Sequence, residues 1–151
     1  MDRHAAELYR LAVAVIGPTG AADATQDALL RAWRKLPTLS DPDRFRPWLH
    51  RILVNRCRDI ARAERRGVRE IRVDIDEAAD ATTPDPSSAA DRRADIEAAL
   101  RALTVDQRAV LALHYFVGLP LREVGLALGV AEGTAKSRHH AALEALRRVI
   151  P

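Results

Sequence analysis

Two segments of the sequence carry basic and polar side chains at spacings that suit nucleic-acid binding. The first, residues 121–148, holds a short and a longer amphipathic helical pattern that meet at Gly129. Gly129 supplies the backbone freedom for a sharp turn, and the small Gly125 lies where the first helix would cross the second closely. This pattern predicts a helix-turn-helix, whose second helix enters the DNA major groove. A plain helical hairpin is the alternative, and the basic second helix favours DNA binding.

The second segment, residues 45–66, is a long amphipathic helical pattern whose polar faces are rich in arginine. Arginines outnumber acidic residues over positions 44–72, whereas a solvated surface helix normally mixes both signs. A face that neutralises phosphates releases their counterions, which is the physical reason why it would bind nucleic acid. We therefore predict that this helix contacts DNA.

The sequence carries no arrangement typical of an enzyme or of a metal centre. It has no Ser–His–Asp set, no glycine-rich phosphate loop and no paired acids in a plausible pocket. His50 and Cys57 share a face of one predicted helix, but two ligands do not complete a zinc site, which normally needs four. We expect a protein that is not an enzyme and that needs no metal ion and no cofactor.

The elements that must position the two basic segments are helical. The chain has 151 residues with few aromatics and abundant Ala, Leu and Arg, a composition that favours helix over sheet. Trp33 and Ile96 are expected on buried faces, and Thr104 with Gln107 forms the pattern of a capping box. Apolar periodicity predicts helices over residues 5–16, 23–36, 45–66, 91–103 and 104–117, ahead of the helix-turn-helix.

A change in composition divides the chain. Residues 73–90 are acidic, contain two prolines and have poor periodicity, which predicts a flexible acidic linker. We therefore predict an all-α fold of two small helical domains, residues 1–70 and 91–151, joined by residues 71–90, with the helix-turn-helix in the second domain. So polar a linker permits several arrangements of the two domains. A single cysteine and the lack of a long apolar run indicate a cytoplasmic protein without membrane insertion.

Three motifs resemble those of bacterial sigma factors of the extracytoplasmic-function (ECF) type, in the sigma-70 family. Residues 23–36, DATQDALLRAWRKL, resemble the segment that binds the polymerase clamp helices. Residues 41–59, DPDRFRPWLHRILVNRCRD, resemble the promoter-melting segment. Residues 103–143 resemble the domain that reads the upstream promoter element. Together the motifs span nearly the whole chain in the family's order.

The resemblance implies an RNA polymerase sigma factor, which would bind core polymerase, recognise two promoter elements and melt DNA. Residues 106–116 would meet the polymerase flap, and an anti-sigma factor is a further implied partner. The implied contacts with the clamp helices of core polymerase are Asp23, Gln26, Asp27 and Arg31.

The resemblance also implies where promoter DNA would bind. The loop at residues 37–44 would hold a base extruded from the downstream element. The implied downstream-element residues are Trp48, Arg51, Asn55, Arg58 and Arg62. The implied upstream-element residues are Glu132, Gly133, Thr134, Lys136, Ser137, Arg138 and His140.

The second helix of the helix-turn-helix departs from the family pattern at Ala135, His139 and Ala141, where Val, Leu and Arg are usual. His139 falls within the apolar face, and burial without a partner would cost about 1–3 kcal/mol. We therefore expect a weaker and less rigid upstream-element domain. Two alternatives stay open: a DNA-binding regulator that uses only the helix-turn-helix, and a sigma-like scaffold that binds polymerase or an anti-sigma factor without productive initiation.

Overall fold

The N-terminal half folds into three helices. The computed structural model of the chain describes residues 2–72 and 89–149. Helix α1 (Asp2–Ile16) ends at Gly17, whose positive φ of 85° breaks the helix. Helix α2 (Pro18–Lys35) begins five residues before the predicted start, because proline is well suited to the first position of a helix. Helix α3 (Phe45–Arg72) is longer than predicted.

Two short 3₁₀ turns connect α2 to α3. They span Leu36–Thr38 and Pro42–Arg44. The Asp41 side chain accepts a hydrogen bond of 3.0 Å from the Asp43 backbone N–H and so caps the second of these turns. Pro47 lies in the first turn of α3, where a missing N–H costs little.

The C-terminal half contains four helices and one π-helical turn. Helix α4 (Ala89–Ala102) precedes α5 (Val105–Leu111), and the π-helical turn Ala112–Phe116 follows without a break. The predicted capping box at the start of α5 is confirmed: Thr104 Oγ1 accepts from the Gln107 N–H, and Gln107 Oε1 accepts from the Thr104 N–H. Helices α6 (Leu121–Leu128) and α7 (Glu132–Val149) complete this half.

Helices α6 and α7 form the predicted helix-turn-helix. Gly129 adopts the left-handed conformation, with φ 71°, that ends α6. Gly125 does allow a close approach, but its neighbour is the turn rather than the second helix. An ideal Cβ at Gly125 would lie 2.9 Å from the Val130 carbonyl oxygen.

The two halves of the chain are packed together around one apolar core. Side chains of α1 such as Leu8 and Leu11 belong to the same buried cluster as Leu113 and Val124 of the C-terminal half. Regular structure is helical throughout the described part, so the predicted all-α class is confirmed. Most of the predicted linker lies outside the described residues, which resume at Ala89.

Two expectations about individual side chains are wrong, and the condition stated for a third is not met. Trp33 is 67% exposed and Ile96 is 53% exposed, because the faces of α2 and α4 that carry them have no covering element among the described residues. His139 is half-buried, and its Nε2 shares a hydrogen bond of 2.9 Å with the Tyr115 hydroxyl. It is therefore not an unpartnered buried histidine, and the expected cost does not arise.

Candidate nucleic-acid interface

The arginine-rich face of α3 lies against the C-terminal half. Arg51, Asn55, Arg58 and Arg62 recur at the three- and four-residue spacing that places them on one side of the helix. The Arg51 guanidinium packs on the turn of the helix-turn-helix, 3.1 Å from the position that a Cβ at Gly129 would take. Packing of α3 on α6 thus brings this predicted DNA-binding face beside the second DNA-binding motif.

One carboxylate joins residues from the two predicted DNA-binding sets. Arg58 Nε donates a hydrogen bond of 2.6 Å to Asp106 Oδ1, and its Nη1 donates one of 3.0 Å to Asn55 Oδ1. Arg138, on α7, places its Nη1 3.7 Å from Asp106 Oδ2. Arg58, predicted to bind the downstream promoter element, and Arg138, predicted to bind the upstream one, are therefore both held at Asp106.

A cavity of about 180 Å³ lies where the loop between α2 and α3 meets α3. Trp48 forms one wall, and Arg51 and Arg44 bring guanidinium groups to it. The loop contributes Leu39, Ser40 and Asp41, and Leu126 of α6 closes one side. The lining thus combines an aromatic ring with hydroxyl, carboxylate and guanidinium groups, which are the groups that stack on or hydrogen-bond to a nucleobase.

The predicted upstream residues lie on the outer face of α7. Ser137 Oγ donates to the Gly133 carbonyl at 3.1 Å, and Lys136 Nζ lies 3.5 Å from Glu132 Oε1. Arg138 is the half-buried member of the set because it turns towards Asp106. The exposed members are Glu132, Gly133, Thr134, Lys136, Ser137 and His140.

The residues predicted to bind polymerase divide into two groups. Asp23 and Gln26 are exposed on α2. Asp27 instead holds two arginines: Arg31 at 3.5 Å on its own helix, and Arg56 of α3. Asp27 is thus engaged in packing α2 on α3, and Arg31 pairs with it within α2.

The sequence did not reveal an apolar patch beside these residues. Leu30, Trp33 and Leu36 are all exposed, and Leu29, Phe45 and Leu49 border the shallow groove next to them. Leu30, Trp33 and Leu36 recur every three residues, and this spacing predicts that they share one apolar face of α2. Periodicity does not identify what that face packs against.

A second polar cluster connects α1, α3 and the end of the π-helical turn. The buried His50 places Nε2 2.8 Å from Glu7 Oε1, and Arg46 Nη2 lies 3.5 Å from Glu7 Oε2 and donates to the Val117 carbonyl at 3.1 Å. Burial lowers the pKa of His50, although the Glu7 carboxylate partly opposes this shift. Burial raises the pKa of Glu7, but hydrogen bonding to His50 and the charge of Arg46 outweigh it and leave a lowered pKa.

The described residues contain no cluster of three or more side chains suited to a metal ion. Cys57 is buried, and burial raises the pKa of its thiol to about 12, so it is a poor nucleophile and ligand. His50 is engaged with Glu7. In the part of the chain that the structure describes, no helix has the length and apolar character to cross a membrane.

Comparison with known proteins identifies two matching family profiles. The profile described as Sigma-70 region 2 matches residues 1–67, and the profile described as Sigma-70, region 4 matches residues 93–146. The chain is 37% identical over 150 residues to ECF RNA polymerase sigma factor SigL of Mycobacterium tuberculosis, covering 97% of this chain and 84% of SigL. It is 34% identical to SigM of the same species, covering 98% and 74% of the two chains.

Two solved structures share the arrangement of helices. The sigma factor RpoE from Bartonella quintana, in complex with the anti-sigma factor NepR, superposes with a TM-score of 0.70 at 26% identity, covering 97% of this chain and 91% of that one. CnrH in complex with the cytosolic domain of CnrY superposes with a TM-score of 0.69 at 28% identity, covering 98% and 82%.

Proposed function

The chain belongs to the ECF RNA polymerase sigma factors, and on that premise we propose that it directs core polymerase to promoters by recognising two DNA elements and melting the duplex. Residues 1–70 would bind the polymerase clamp helices and the downstream element. Residues 91–151 would bind the upstream element, with residues 71–90 as the tether. The polymerase carries out the chemistry, and this chain is not an enzyme.

The cavity beside Trp48 is the observation that carries the melting role. Extruding a base costs a few kcal/mol, and a pocket that stacks on and hydrogen-bonds to that base offsets the cost. The loop residues Ser40 and Asp41 supply a hydroxyl and an accepting carboxylate, respectively, and Trp48 supplies an aromatic surface. Arg51 and Arg62 lie along the same helix and would hold the phosphates of the opened strand.

The outer face of α7 supports recognition of the upstream element. Thr134, Lys136, Ser137 and His140 are exposed on this helix, which follows a turn of the helix-turn-helix type. Engagement of both promoter elements requires Arg58 and Arg138 to leave Asp106, because each would then contact DNA. We therefore propose that the two domains separate when the polymerase and the promoter bind.

The proposed protein partners follow from exposed surfaces. Asp23 and Gln26, beside the apolar Trp33, would meet the polymerase clamp helices. Tyr115 and Phe116, 62% and 51% exposed, lie within the segment that would meet the flap. The two solved relatives are bound to anti-sigma proteins, which supports an anti-sigma factor as a partner of this chain. Its place of action would be the cytoplasm, with the polymerase.

In the structure the two halves are packed together and Asp106 holds both Arg58 and Arg138; we call this the closed arrangement. It favours one alternative, a sigma-like scaffold that binds polymerase or an anti-sigma factor without productive initiation. In that case Asp106 would keep Arg58 and Arg138 from DNA. A regulator that uses only the helix-turn-helix would have no need of the cavity beside Trp48.

Reconstituted transcription tests these proposals. Purified protein is added to core polymerase and a promoter library, and the transcripts are sequenced. Our proposal predicts start sites downstream of one bipartite DNA motif. Absence of start-site enrichment would refute it, and a polymerase pull-down would then separate the scaffold, which binds polymerase, from the regulator, which does not.

A further inference from the structure

A second cavity, separate from the one beside Trp48, lies between α3 and the C-terminal half. It has a volume of about 450 Å³, within the range of small-molecule sites. Four arginines from two helices line it, and Asp106 is the one acidic residue in its lining. We call this cavity the arginine cleft; its guanidinium groups belong to Arg58, Arg62, Arg65 and Arg138.

The single carboxylate does not satisfy these guanidinium groups. Asp106 hydrogen-bonds to Arg58, whereas Arg138 Nη1 is buried, makes no hydrogen bond to any described residue and lies 3.7 Å from the carboxylate. Arg62 and Arg65 have no ion pair with another described residue. The cleft thus has an excess of positive charge and donors that are free to bind an anion.

A further arginine, Arg108, lies near the cleft residue Arg65 but does not itself line the cleft. Arg108 of α5 is half-buried; burial and then the positive charge of Arg65 lower its pKa, and the negative charge of Glu64 partly opposes this shift. Repulsion between like charges raises the free energy of the closed arrangement, and an anion bound among them would relieve it. The charge distribution is therefore better suited to an occupied cleft than to an empty one.

The number and geometry of the guanidinium groups indicate the class of anion. Each planar guanidinium can bind phosphate oxygens through two parallel N–H donors. A single phosphate offers too few oxygens to engage three or four arginines fully, whereas a di- or triphosphate chain places several charges in a row. Ala61, Val105, Leu128 and Val130 add apolar surface next to the basic groups.

We propose that the arginine cleft binds a compact polyphosphate, either a free polyphosphate or the phosphate chain of a nucleotide. This inference rests on the proposed function in one respect: Arg58, Arg62 and Arg138 are also proposed DNA contacts. A ligand that bridges them stabilises the closed arrangement, because it binds residues of both domains at once. It therefore competes with promoter DNA for the same side chains.

Calorimetric titration of the full chain tests the site, with inorganic tripolyphosphate as the probe at physiological salt. We expect saturable binding that Arg65→Ala weakens by about tenfold or more, since one bidentate contact is lost. Arg66→Ala is the matched control: Arg66 is exposed, as Arg65 is, but does not line the cleft. Its effect should be within about twofold, as for an exposed surface charge. Circular dichroism checks that both variants are folded.

Three results would overturn the inference. The first is no saturable binding at millimolar tripolyphosphate, and the second is equal weakening by both variants, which would show diffuse attraction of polyanions. Binding of DNA but not of tripolyphosphate through Arg65 would also overturn it. A parallel titration with ATP identifies the source: tighter binding than tripolyphosphate indicates a nucleotide, and equal binding indicates the phosphate chain alone.

The promoter-library experiment keeps the two proposals separable. Because transcription needs nucleoside triphosphates, which are themselves candidate ligands of the cleft, promoter binding by the polymerase complex is also measured without any nucleotide or tripolyphosphate. Start-site enrichment together with a failed titration removes only the ligand site. A successful titration, with neither start-site enrichment nor promoter binding in the absence of nucleotides, removes only the promoter role.

Discussion

Arg58 and Asp106 form an ion pair between the two halves of the chain, with Nε 2.6 Å from Oδ1. Arg58 comes from the arginine-rich face of α3, and Asp106 lies in the first turn of α5. Arg46 adds a second polar link through the Val117 carbonyl. These contacts hold the proposed DNA-binding surface of α3 against the domain that carries the second proposed DNA-binding surface.

Replacing Asp106 is predicted to open this contact. In Asp106→Asn, both Arg58 and Arg138 lose a charged partner, and the closed arrangement should weaken by about 1 kcal/mol, because partial exposure screens both ion pairs. Energy transfer between dyes on Arg34→Cys and Arg148→Cys, both exposed positions in different halves, would report the change. Transfer efficiency should fall in the Asp106 variant.

Glu144→Gln is the control for this measurement. The ion pair of Glu144 with Arg147, at 2.9 Å, lies wholly within α7. Its loss should leave the transfer efficiency unchanged. Equal efficiency in the Asp106→Asn protein and the parent would contradict the role assigned to Asp106.

Gly125 and Gly67 should respond to alanine in opposite directions. A Cβ at Gly125 would meet the Val130 carbonyl oxygen at 2.9 Å, so Gly125→Ala should destabilise the fold by about 1–3 kcal/mol through forced backbone shifts. Gly67 lies in α3 with no atom within 4 Å of its potential Cβ, and Gly67→Ala should stabilise the protein by about 0.5–1 kcal/mol. Urea unfolding measures both. Equal effects of the two substitutions would show that the α6–α7 turn is not tightly packed.

His50 should make stability depend on pH. Its folded-state pKa lies below the ordinary value of 6.5, so the unfolded chain takes up a proton first as the pH falls through that value. Stability is therefore complete above about pH 6.5 and declines below it. The groups facing His50 are Glu7 and His4 of α1 and Arg46 of α3. The lowered pKa of Glu7 changes the free energy of unfolding only as the pH falls below the ordinary value of 4.5. Measurements between pH 7.5 and 5.5 therefore report the contribution of His50 without that of Glu7.

The measurement is the free energy of unfolding at these two pH values. His50→Gln should reduce the loss of stability between them, and His140→Gln, on the exposed face of α7, should not. A pH dependence that is unchanged in His50→Gln would exclude His50 as its source.

Substitutions at two neighbouring residues of α2, Gln26 and Asp27, should differ in their effect on the free energy of unfolding. Gln26 is exposed, so Gln26→Ala should weaken binding to core polymerase and leave stability unchanged. Asp27 links α2 to Arg56 of α3, so Asp27→Ala should also lower the free energy of unfolding by about 1 kcal/mol. Polymerase affinity is measured by fluorescence anisotropy and stability by urea unfolding. If Gln26→Ala binds polymerase as tightly as the parent, the proposed clamp contact is wrong.

Local features of the fold were predictable because each depends on a few adjacent residues. The capping box at Thr104, the left-handed turn at Gly129 and the cap at Asp41 are short-range hydrogen-bond and backbone effects. The exposure of Trp33 was not predictable in the same way. Periodicity places it on an apolar face, but whether that face meets the core or a partner protein depends on the whole assembly.

The packing of the two halves against each other could not be predicted from the sequence either. Arginine enrichment identified the face of α3, but an arginine that awaits phosphate and one that pairs with Asp106 have the same sequence pattern. The polar Tyr115 partner of His139 is a second example, since the π-helical turn that presents Tyr115 has no sequence signal that we recognised. Such contacts join residues that are far apart in the chain.

Promoter opening by the polymerase complex tests the central claim most directly. A base analogue whose fluorescence rises on unstacking is placed in the downstream element of a promoter selected from the library, and duplex binding is measured separately. The parent complex should bind and then open the DNA. Asn55→Ala should slow opening by about tenfold or more while reducing duplex binding much less, because we expect this predicted downstream-element residue to contact the DNA strand once it is opened. No opening by the parent, or equal loss of binding and opening in Asn55→Ala, would contradict the account.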